Sequence, residues 1–309
     1  MGKSHISLMS MLKFSQNQRF TLDALFNVAG WVCVVTGGGT GIGLMIAQAF
    51  ANNGARVYIT GRRQDVLQQA VDSWGSSLSH KKGKLVGISC DTTDKTSIQD
   101  LINSISKEED HVDILVNNAG ITSQTAEVEK GDISAKELGT ELWHLTDNDW
   151  LDVYRTNVMG HFFTATAFLP LLSAASNIRP DHTGNVINIS SMSGITATSQ
   201  HHIQYNVSKS ASIQLTRLLA QEFKRPGVNV RVNSIAPGIF PSEMTTSGSN
   251  EQNKSTIPTG TDYGEKKGIP AGRPGKEEDM AQATLMLATN QYAYGQVVTI
   301  DGGYLLVHG

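Results

Sequence analysis

Short apolar runs alternate with longer mixed segments along most of the chain. The apolar runs lie at residues 32–36, 56–60, 85–90, 114–117, 186–190, 230–235 and 297–300. Runs of this length are short enough to be buried strands. The segments between them at 65–79, 96–107, 150–173, 205–224 and 277–288 are long enough to form helices. Alternating strands and helices predict a single α/β domain, a doubly wound parallel sheet with helices on both faces.

Polar or glycine residues follow several of the predicted strands. Because the carboxyl ends of parallel strands meet at one edge of a sheet, and ligands bind there, these residues predict a single crevice. They are Thr36, Cys90 and Asp91, Asn117 and Asn118, Ser190 and Ser191, and Pro237 and Gly238.

A glycine-rich loop follows the first predicted strand. It reads T-G-G-G-T-G-I-G over residues 36–43 and precedes apolar residues at helical spacing. Strand, glycine turn and helix form the context of a Rossmann-type dinucleotide site, in which a pyrophosphate meets a helix N-terminus. The spacing is G-x-x-x-G-x-G rather than G-x-G-x-x-G, and a glycine turn without a ligand is the alternative. The predicted cofactor contacts are Gly37, Gly39, Thr40, Gly41, Ile42 and Gly43.

Tyr205 and Lys209 form the second chemical motif, Y-N-V-S-K. Four residues on a helix make about one turn, so both side chains project from the same face. A phenol beside a fixed cation is expected to have a lowered pKa, and such a tyrosine exchanges a proton with an alcohol or alkoxide. Because Y-x-x-x-K also occurs by chance, its weight depends on the glycine loop.

The joint pattern resembles the short-chain dehydrogenases/reductases, in their single-domain branch, over about residues 28–306. Within that family the chain looks most like the 3-oxoacyl-carrier-protein reductases. The motifs that carry the resemblance are the glycine loop, N-N-A-G at 117–120, Asn157, Ser191, Tyr205 with Lys209, Pro237-Gly238, G-R-P-G at 272–275 and V-T-I-D-G-G at 298–303.

The resemblance implies the roles of four catalytic residues. Ser191 is expected to hydrogen-bond the substrate carbonyl oxygen, and Tyr205 to donate the proton as general acid. Lys209 is expected to hold the nicotinamide ribose and stabilise the phenolate. Asn157 is expected to anchor a water that replenishes the proton, with a helix-distorting structural role as the alternative. The choice of Ser191 over the neighbours at 190 and 193 rests on its spacing to Gly194.

The same resemblance implies further cofactor contacts. Asn117 is not among them, because it is expected to tie neighbouring strands together. For two of the residues a role without cofactor is the alternative: Asp91 as a helix cap, and Phe240 as a packing aromatic. The implied contacts are Asp91 and Thr92 near the adenine, Asn118 and Gly120, and Pro237, Gly238, Phe240 and Ser242 along the nicotinamide and pyrophosphate.

The end of the second strand predicts the choice of cofactor. Gly61 stands where NAD-preferring relatives carry an acid, and Arg62 and Arg63 follow it. An arginine pairs with a 2′-phosphate through charge-assisted hydrogen bonds. Because two cations at a helix N-terminus need a compensating anion, we predict NADP(H). A solvated helix start is the alternative interpretation.

Composition and the chain ends add bounds. The chain has 309 residues, 39% of them hydrophobic, and a net charge of −3, which gives no reason to expect a nucleic-acid or membrane partner. Two cysteines favour a reducing compartment, and we expect the cytoplasm rather than the mitochondrial matrix. Residues 1–27 are predicted to be an extension, with a faint resemblance to a transit peptide, and 28–309 the catalytic domain.

The predicted function is NADPH-dependent reduction of a ketone, 3-oxoacyl or secondary-metabolite, to a secondary alcohol. A catalytically silent NADP(H) sensor of the same fold is the alternative.

The partners expected are a small carbonyl substrate and, by resemblance, copies of the chain in a homodimer or homotetramer. The copies are expected to pair through 150–173 and 205–224. Polar loops at 120–150 and 241–272, the second a lid, are expected to form the substrate's walls, the first with a short helix around 135–144. Adjacent His201 and His202 lack a third ligand, so no metal is expected.

Overall fold

A computed structural model describes residues 17–128, 131, 133–179, 181–260 and 263–308. The predicted extension therefore lies partly outside the described residues. In the described part of the chain, one parallel sheet has the strand order β3-β2-β1-β4-β5-β6-β7, which confirms the predicted doubly wound fold. Its strands are β1 Val32–Thr36, β2 Arg56–Gly61, β3 Lys84–Ser89, β4 Ile114–Asn117, β5 Asn185–Ile189, β6 Arg231–Pro237 and β7 Val297–Ile300.

Helices connect the strands and cover both faces of the sheet. Short 3-10 turns at Gly75–Ser77 and Met192–Gly194 and a π-helix at Arg155–Gly160 complete the elements. The α-helices are α1 Leu22–Leu25, α2 Gly41–Asn52, α3 Gln64–Trp74, α4 Lys95–Ile105, α5 Ala135–Trp143, α6 Asp147–Tyr154, α7 His161–Ala167, α8 Leu169–Ile178, α9 Ile203–Phe223, α10 Glu243–Thr246, α11 Tyr263–Lys267, α12 Glu277–Thr289 and α13 Tyr304–Val307.

Two apolar cores lie on opposite faces of the sheet. Successive strand residues alternate between them: Val35 packs with α2, α3 and α12, whereas Val34 packs with α4, α7, α8 and α9. Ile59 and Tyr58 divide in the same way on β2. Both side-chain sets of each strand are buried, which is why the sequence shows continuous apolar runs rather than alternation.

The prediction of one helix over 150–173 was wrong. The chain there forms α6, the π-helix Arg155–Gly160, α7 and α8. The break between α7 and α8 falls at Phe168, and Pro170 lies in the first turn of α8, where its missing N–H costs no helical bond. The π-helix surrounds Asn157, whose side chain is bonded outside the helix.

The short helix predicted around 135–144 is α5, Ala135–Trp143. It begins with a capping box in which Ser134 and Glu137 satisfy each other's backbone N–H groups. Three strands differ from the predicted bounds at both ends. β3 and β5 begin one residue earlier, because polar Lys84 and Asn185 pair in register with their neighbours, and β6 runs over Arg231–Pro237 rather than 230–235.

No single helix among the described residues is long and apolar enough to cross a membrane. One pair of helical stretches, Asp147–Ala167 and Leu169–Ile178, is long and apolar enough when taken together, but the pair is bent by 49°. It qualifies by length and composition only.

A buried carboxylate lies at the amino edge of the sheet, opposite the crevice. Asp113 is fully buried and accepts a hydrogen bond of 2.7 Å from the Val32 N–H. Arg179 and His182 approach it at 2.5 and 2.8 Å, and His111 at 3.4 Å. Burial alone would raise the pKa of Asp113, but the hydrogen bonds and the nearby cation lower it to about 2.

We expect Asp113→Asn to lower the free energy of unfolding by about 3 kcal/mol at pH 7, because three buried or half-buried donors lose their anion. The folded-state pKa is below the unfolded value of about 3.9. The stabilisation by Asp113 is therefore complete above that value and is lost as the pH falls through about 2. Urea denaturation from pH 7 to pH 2 measures both effects. The exposed Asp100→Asn is the control, and equal stability of Asp113→Asn and wild type would contradict the assignment.

Candidate active site

A crevice of about 1080 Å³ lies at the carboxyl ends of the strands. Parallel pairing brings the ends of β1, β2, β4, β5 and β6 to this edge. Gly43 and Asn157, both predicted to belong to the site, are buried behind its wall. The predicted residues that line the crevice are Gly37, Gly39, Thr40, Gly41, Ile42, Arg62, Arg63, Asp91, Thr92, Asn118, Gly120, Ser191, Tyr205, Lys209, Pro237, Gly238, Phe240 and Ser242.

Helix α9 carries Tyr205 and Lys209 into the crevice on one face, as their spacing predicts. The Lys209 Nζ lies 5.6 Å from the centroid of the Tyr205 ring. It donates a hydrogen bond of 2.9 Å to the carbonyl oxygen of Ile189, at the end of β5. The ammonium group is therefore fixed on the floor of the crevice, next to the phenol.

The expectation that Lys209 lowers the pKa of Tyr205 was wrong for the polypeptide alone. Burial raises the pKa of Tyr205, and a hydrogen bond with Ser191 opposes that rise. Burial also lowers the pKa of Lys209 to about 8. Desolvation disfavours the phenolate, and the Lys209 ammonium donates to the Ile189 carbonyl rather than to the phenol.

The three clustered serines have different partners. Ser190 shares a hydrogen bond of 2.7 Å with Ser234 and is held against β6. Ser193 donates to the Gln200 side chain at 2.6 Å. Ser191 accepts from the Ser193 N–H at 3.1 Å, and its hydroxyl faces Tyr205. The structure thus places Ser191, rather than its neighbours, beside the phenol.

Gly194 allows the serine loop to lie directly on α9. A Cβ atom at this position would be 2.6 Å from the Lys209 carbonyl carbon and 2.7 Å from the Ser210 nitrogen. Both are backbone atoms of a helix, which do not yield to a side chain. The glycine therefore sets the distance between the serine loop and the helix that carries Tyr205.

Asn157 joins the π-helix to the loop after β4. Its Oδ1 accepts from the Ile121 N–H at 2.9 Å, and its Nδ2 donates to the Ile121 carbonyl at 3.0 Å and to the Ser208 hydroxyl at 3.1 Å. These bonds are of the kind expected for a helix-distorting Asn, and the role of anchoring a water stays a prediction. They also hold the loop against α9, three residues from Tyr205.

The glycine loop fits a dinucleotide pyrophosphate. Gly37 and Gly41 have φ values of +63° and +51°, in the left-handed region that favours glycine. A Cβ at Gly37 would be 2.9 Å from Asn118 Nδ2, and one at Gly41 would be 2.9 Å from Ser242 Cβ. The cap residue Thr40 makes no side-chain bond to the first turn of α2. The N–H groups of that turn are therefore left for an anion.

Asn117 and Asn118 act in the frame of the site. Asn117 Nδ2 donates to Asn188 Oδ1 on β5 and to the His161 carbonyl, which confirms that it ties neighbouring strands together. Asn118 Nδ2 donates to the carbonyl oxygens of Thr36 and Gly37 at 2.9 and 3.1 Å. These bonds fix the start of the glycine loop.

The two arginines after β2 differ in their partners. Arg63 Nη2 lies 2.6 Å from Glu243 Oε2, and both side chains line the crevice. Arg62 is exposed and forms no salt bridge within the described residues. The compensating anion expected for the two cations is thus, for Arg63, a carboxylate of the protein itself.

Asp91 is not the cap of the helix that follows it. Its Oδ1 accepts from the Thr93 N–H and hydroxyl, whereas the side chain of Asp94 caps α4. Phe240 is buried and packs its ring over Gly275, where a Cβ would be 2.3 Å from ring carbons. The packing interpretation of its side chain therefore holds, although the residue also lines the crevice.

The lid at 241–272 is more structured than its composition suggests, because it contains α10 and α11. Its middle crosses to α3: Trp74 and Gln69 donate to the carbonyl oxygens of Gln252 and Glu251, and Asn253 donates to that of Val66. The middle of the lid is therefore fixed against α3, and the role of the segment as a wall of the substrate site stays a prediction.

Three residues of the site were not predicted. His161 donates to the Ala119 carbonyl at 3.0 Å, and burial, then the charge of Lys209, lowers its pKa to about 3. Gln200 bridges Ser193 and the Tyr304 hydroxyl, and Glu243 pairs with Arg63. Except for the bond between Ser193 and Gln200, these contacts join distant parts of the chain, and no local spacing signals them.

The chain is similar to known proteins over most of its length. A family model described as short chain dehydrogenase matches residues 31–253. The chain belongs to the short-chain dehydrogenases/reductases. This short-chain dehydrogenase/reductase is 35% identical over 291 residues to the short-chain dehydrogenase/reductase PhomF of Diaporthe leptostromiformis, covering 92% of this chain and 94% of that protein.

Bacterial relatives of this short-chain dehydrogenase/reductase include a reductase and a solved complex. It is 34% identical to the rhamnolipids biosynthesis 3-oxoacyl-[acyl-carrier-protein] reductase of Pseudomonas aeruginosa, over 91% of this chain and 98% of that protein. A structure described as the Pseudomonas aeruginosa RhlG/NADP active-site complex superposes with a TM-score of 0.70 at 33% identity, covering 91% and 98% of the two chains.

Proposed function

We propose that this protein is an NADPH-dependent carbonyl reductase that converts a ketone to a secondary alcohol. The observation that carries the proposal is the placement of Ser191, Tyr205 and Lys209 together at one end of a crevice whose other end is the glycine loop. When bound, NADPH supplies the hydride. The polypeptide supplies position, a proton and fixed charge.

The side chains divide the remaining work. Ser191, whose hydroxyl faces Tyr205, is suited to hold a carbonyl oxygen beside the phenol. Tyr205 is protonated at neutral pH, since burial raises its pKa, and a protonated phenol is the form that a general acid requires. Lys209 supplies the positive charge that stabilises the phenolate left after proton transfer.

Arg62 supports NADP(H) as the cofactor. It lines the adenosine end of the crevice without a salt-bridge partner among the described residues, next to Gly61. A guanidinium there suits a 2′-phosphate, and an acid at position 61, which would repel that phosphate, is absent. The name of the Pseudomonas complex, which includes NADP, favours the same cofactor.

The substrate class proposed is a 3-oxoacyl thioester or a ketone of secondary metabolism. One relative is named for 3-oxoacyl-[acyl-carrier-protein] reduction in rhamnolipid biosynthesis. The retained pair of Tyr205 and Lys209 favours a catalyst over a silent NADP(H) sensor.

We also propose a homodimer or homotetramer. Apolar side chains of α6, α7 and α9 are exposed on the single chain, among them Leu151 at 56% and Leu218 at 55%. Burial of such residues against a second copy would remove apolar surface from water. Light scattering tests the oligomeric state. The buried, unpaired Cys33 and Cys90 are consistent with the cytoplasm, the proposed location.

The test of the function is NADPH oxidation, followed by absorbance, over a panel of β-ketoacyl thioesters, aromatic ketones and quinones. Turnover of any carbonyl supports the reductase, and the best substrate narrows the class. Tight NADPH binding without turnover over the whole panel would favour the sensor. Failure to bind either nicotinamide nucleotide would overturn the proposal.

A further inference from the structure

The carboxylate of Glu243 lies inside the adenosine end of the crevice. One oxygen pairs with Arg63 Nη2 at 2.6 Å, and the other accepts from the Ser249 hydroxyl at 3.0 Å. The Thr40 hydroxyl of the glycine loop also faces it. These bonds fix a negative charge where α10, the glycine loop and the end of β2 meet.

The lid holds Glu243 in this place. Ser242, the residue before it, caps α10 through bonds with Thr245. The same Ser242 packs on Gly41 so closely that a Cβ there would lie 2.9 Å from its own Cβ. The Glu243 side chain is 31% exposed, and its place in the first turn of α10 limits how far the carboxylate can withdraw.

We propose that Glu243 is a specificity-determining residue: an internal anion that competes with the 2′-phosphate of NADP(H) for Arg63. The inference rests on the proposed use of NADP(H) and adds a residue that sets how tightly NADP(H) binds. Arg62 and Arg63 together offer two cations, but one is neutralised from the lid. A phosphate that enters beside Arg62 meets a nearby carboxylate, and like charges repel.

The competition affects the two cofactors differently. NADPH carries the 2′-phosphate and must displace or tolerate the carboxylate, whereas NADH carries a 2′-hydroxyl and suffers no such repulsion. Glu243 therefore lowers the preference for NADP(H) below the value that two free arginines would give. It keeps Arg63 paired when no phosphate is bound.

The experiment is titration of the full-length protein with NADPH and with NADH, followed by calorimetry. In E243Q, which keeps the size of the side chain but removes its charge, we expect the Kd for NADPH to fall about five- to tenfold. The Kd for NADH should stay within about twofold. E243D retains the charge and should behave like the wild type. E251Q, which removes a lid carboxylate with no contact to Arg63, should leave both values unchanged.

The outcomes separate this inference from the function on which it rests. Unchanged NADPH affinity in E243Q, with tight binding by the wild type, would overturn the competition and leave the proposed cofactor intact. Equal weakening of both cofactors in E243Q would make Glu243 a structural latch of the lid and likewise overturn it. If the wild type bound neither cofactor, both the function and the inference would fail.

Discussion

Tyr205→Phe is expected to lower kcat/KM for carbonyl reduction by about 10²- to 10⁴-fold, the usual contribution of a positioned general acid. The substitution removes one oxygen and preserves the ring, which lies 5.6 Å from Lys209 Nζ and fills the wall of the crevice. Ser191 no longer faces a phenol hydroxyl but keeps the bond from the Ser193 N–H. The loop therefore stays in place, and the loss of activity comes from the missing proton donor.

The affinity for NADPH should fall by less than about tenfold in Tyr205→Phe, because at most one hydrogen bond to the cofactor is lost. Titration with NADPH and initial rates with the best ketone separate binding from catalysis. Tyr292→Phe, which changes a 98% exposed tyrosine in the same way, is the control. Retention of full turnover in Tyr205→Phe would show that another group donates the proton and would remove the central step of the mechanism.

Much of the fold was predictable because strands of a parallel sheet are buried on both faces. Val34 and Val35 belong to opposite cores, yet both must be apolar, so each strand shows as an uninterrupted run. The helix breaks were not predictable in the same way. The π-helix around Asn157 depends on bonds to Ile121, 36 residues away, and helical periodicity carries no signal for such a partner.

In the candidate site, too, some features were predictable from local spacing and others were not. Tyr205 and Lys209 share one helix, so local spacing placed them together. The direction of the pKa shift of Tyr205 depends on burial and on where Lys209 points, and neither follows from spacing. The pair of Arg63 and Glu243 spans 180 residues. An ion pair of that kind arises from the path of the lid, which the polar sequence at 241–272 does not specify.

The double variant Gly61→Asp with Arg62→Ala is expected to reverse the cofactor preference. Loss of the guanidinium removes charge-assisted bonds worth about 1.5–3 kcal/mol, so the Kd for NADPH should rise about 10- to 100-fold. The new carboxylate repels a 2′-phosphate and accepts hydrogen bonds from a ribose, so the Kd for NADH should fall. The geometry admits the aspartate, since a Cβ at Gly61 would lie 3.9 Å from Leu67 Cδ2, an ordinary contact.

Calorimetric titration of the double variant with both cofactors measures the reversal, and Arg225→Ala is the control for loss of an exposed arginine. The single variants apportion the effect: Arg62→Ala should weaken NADPH alone, whereas Gly61→Asp should also improve NADH. In the wild type Arg63 is paired with Glu243, so a 2′-phosphate that used Arg63 in place of Arg62 would have to break that pair. Unchanged NADPH affinity in the double variant would therefore mean that the 2′-phosphate does not bind at Arg62, and the choice of NADP(H) would lose its structural basis.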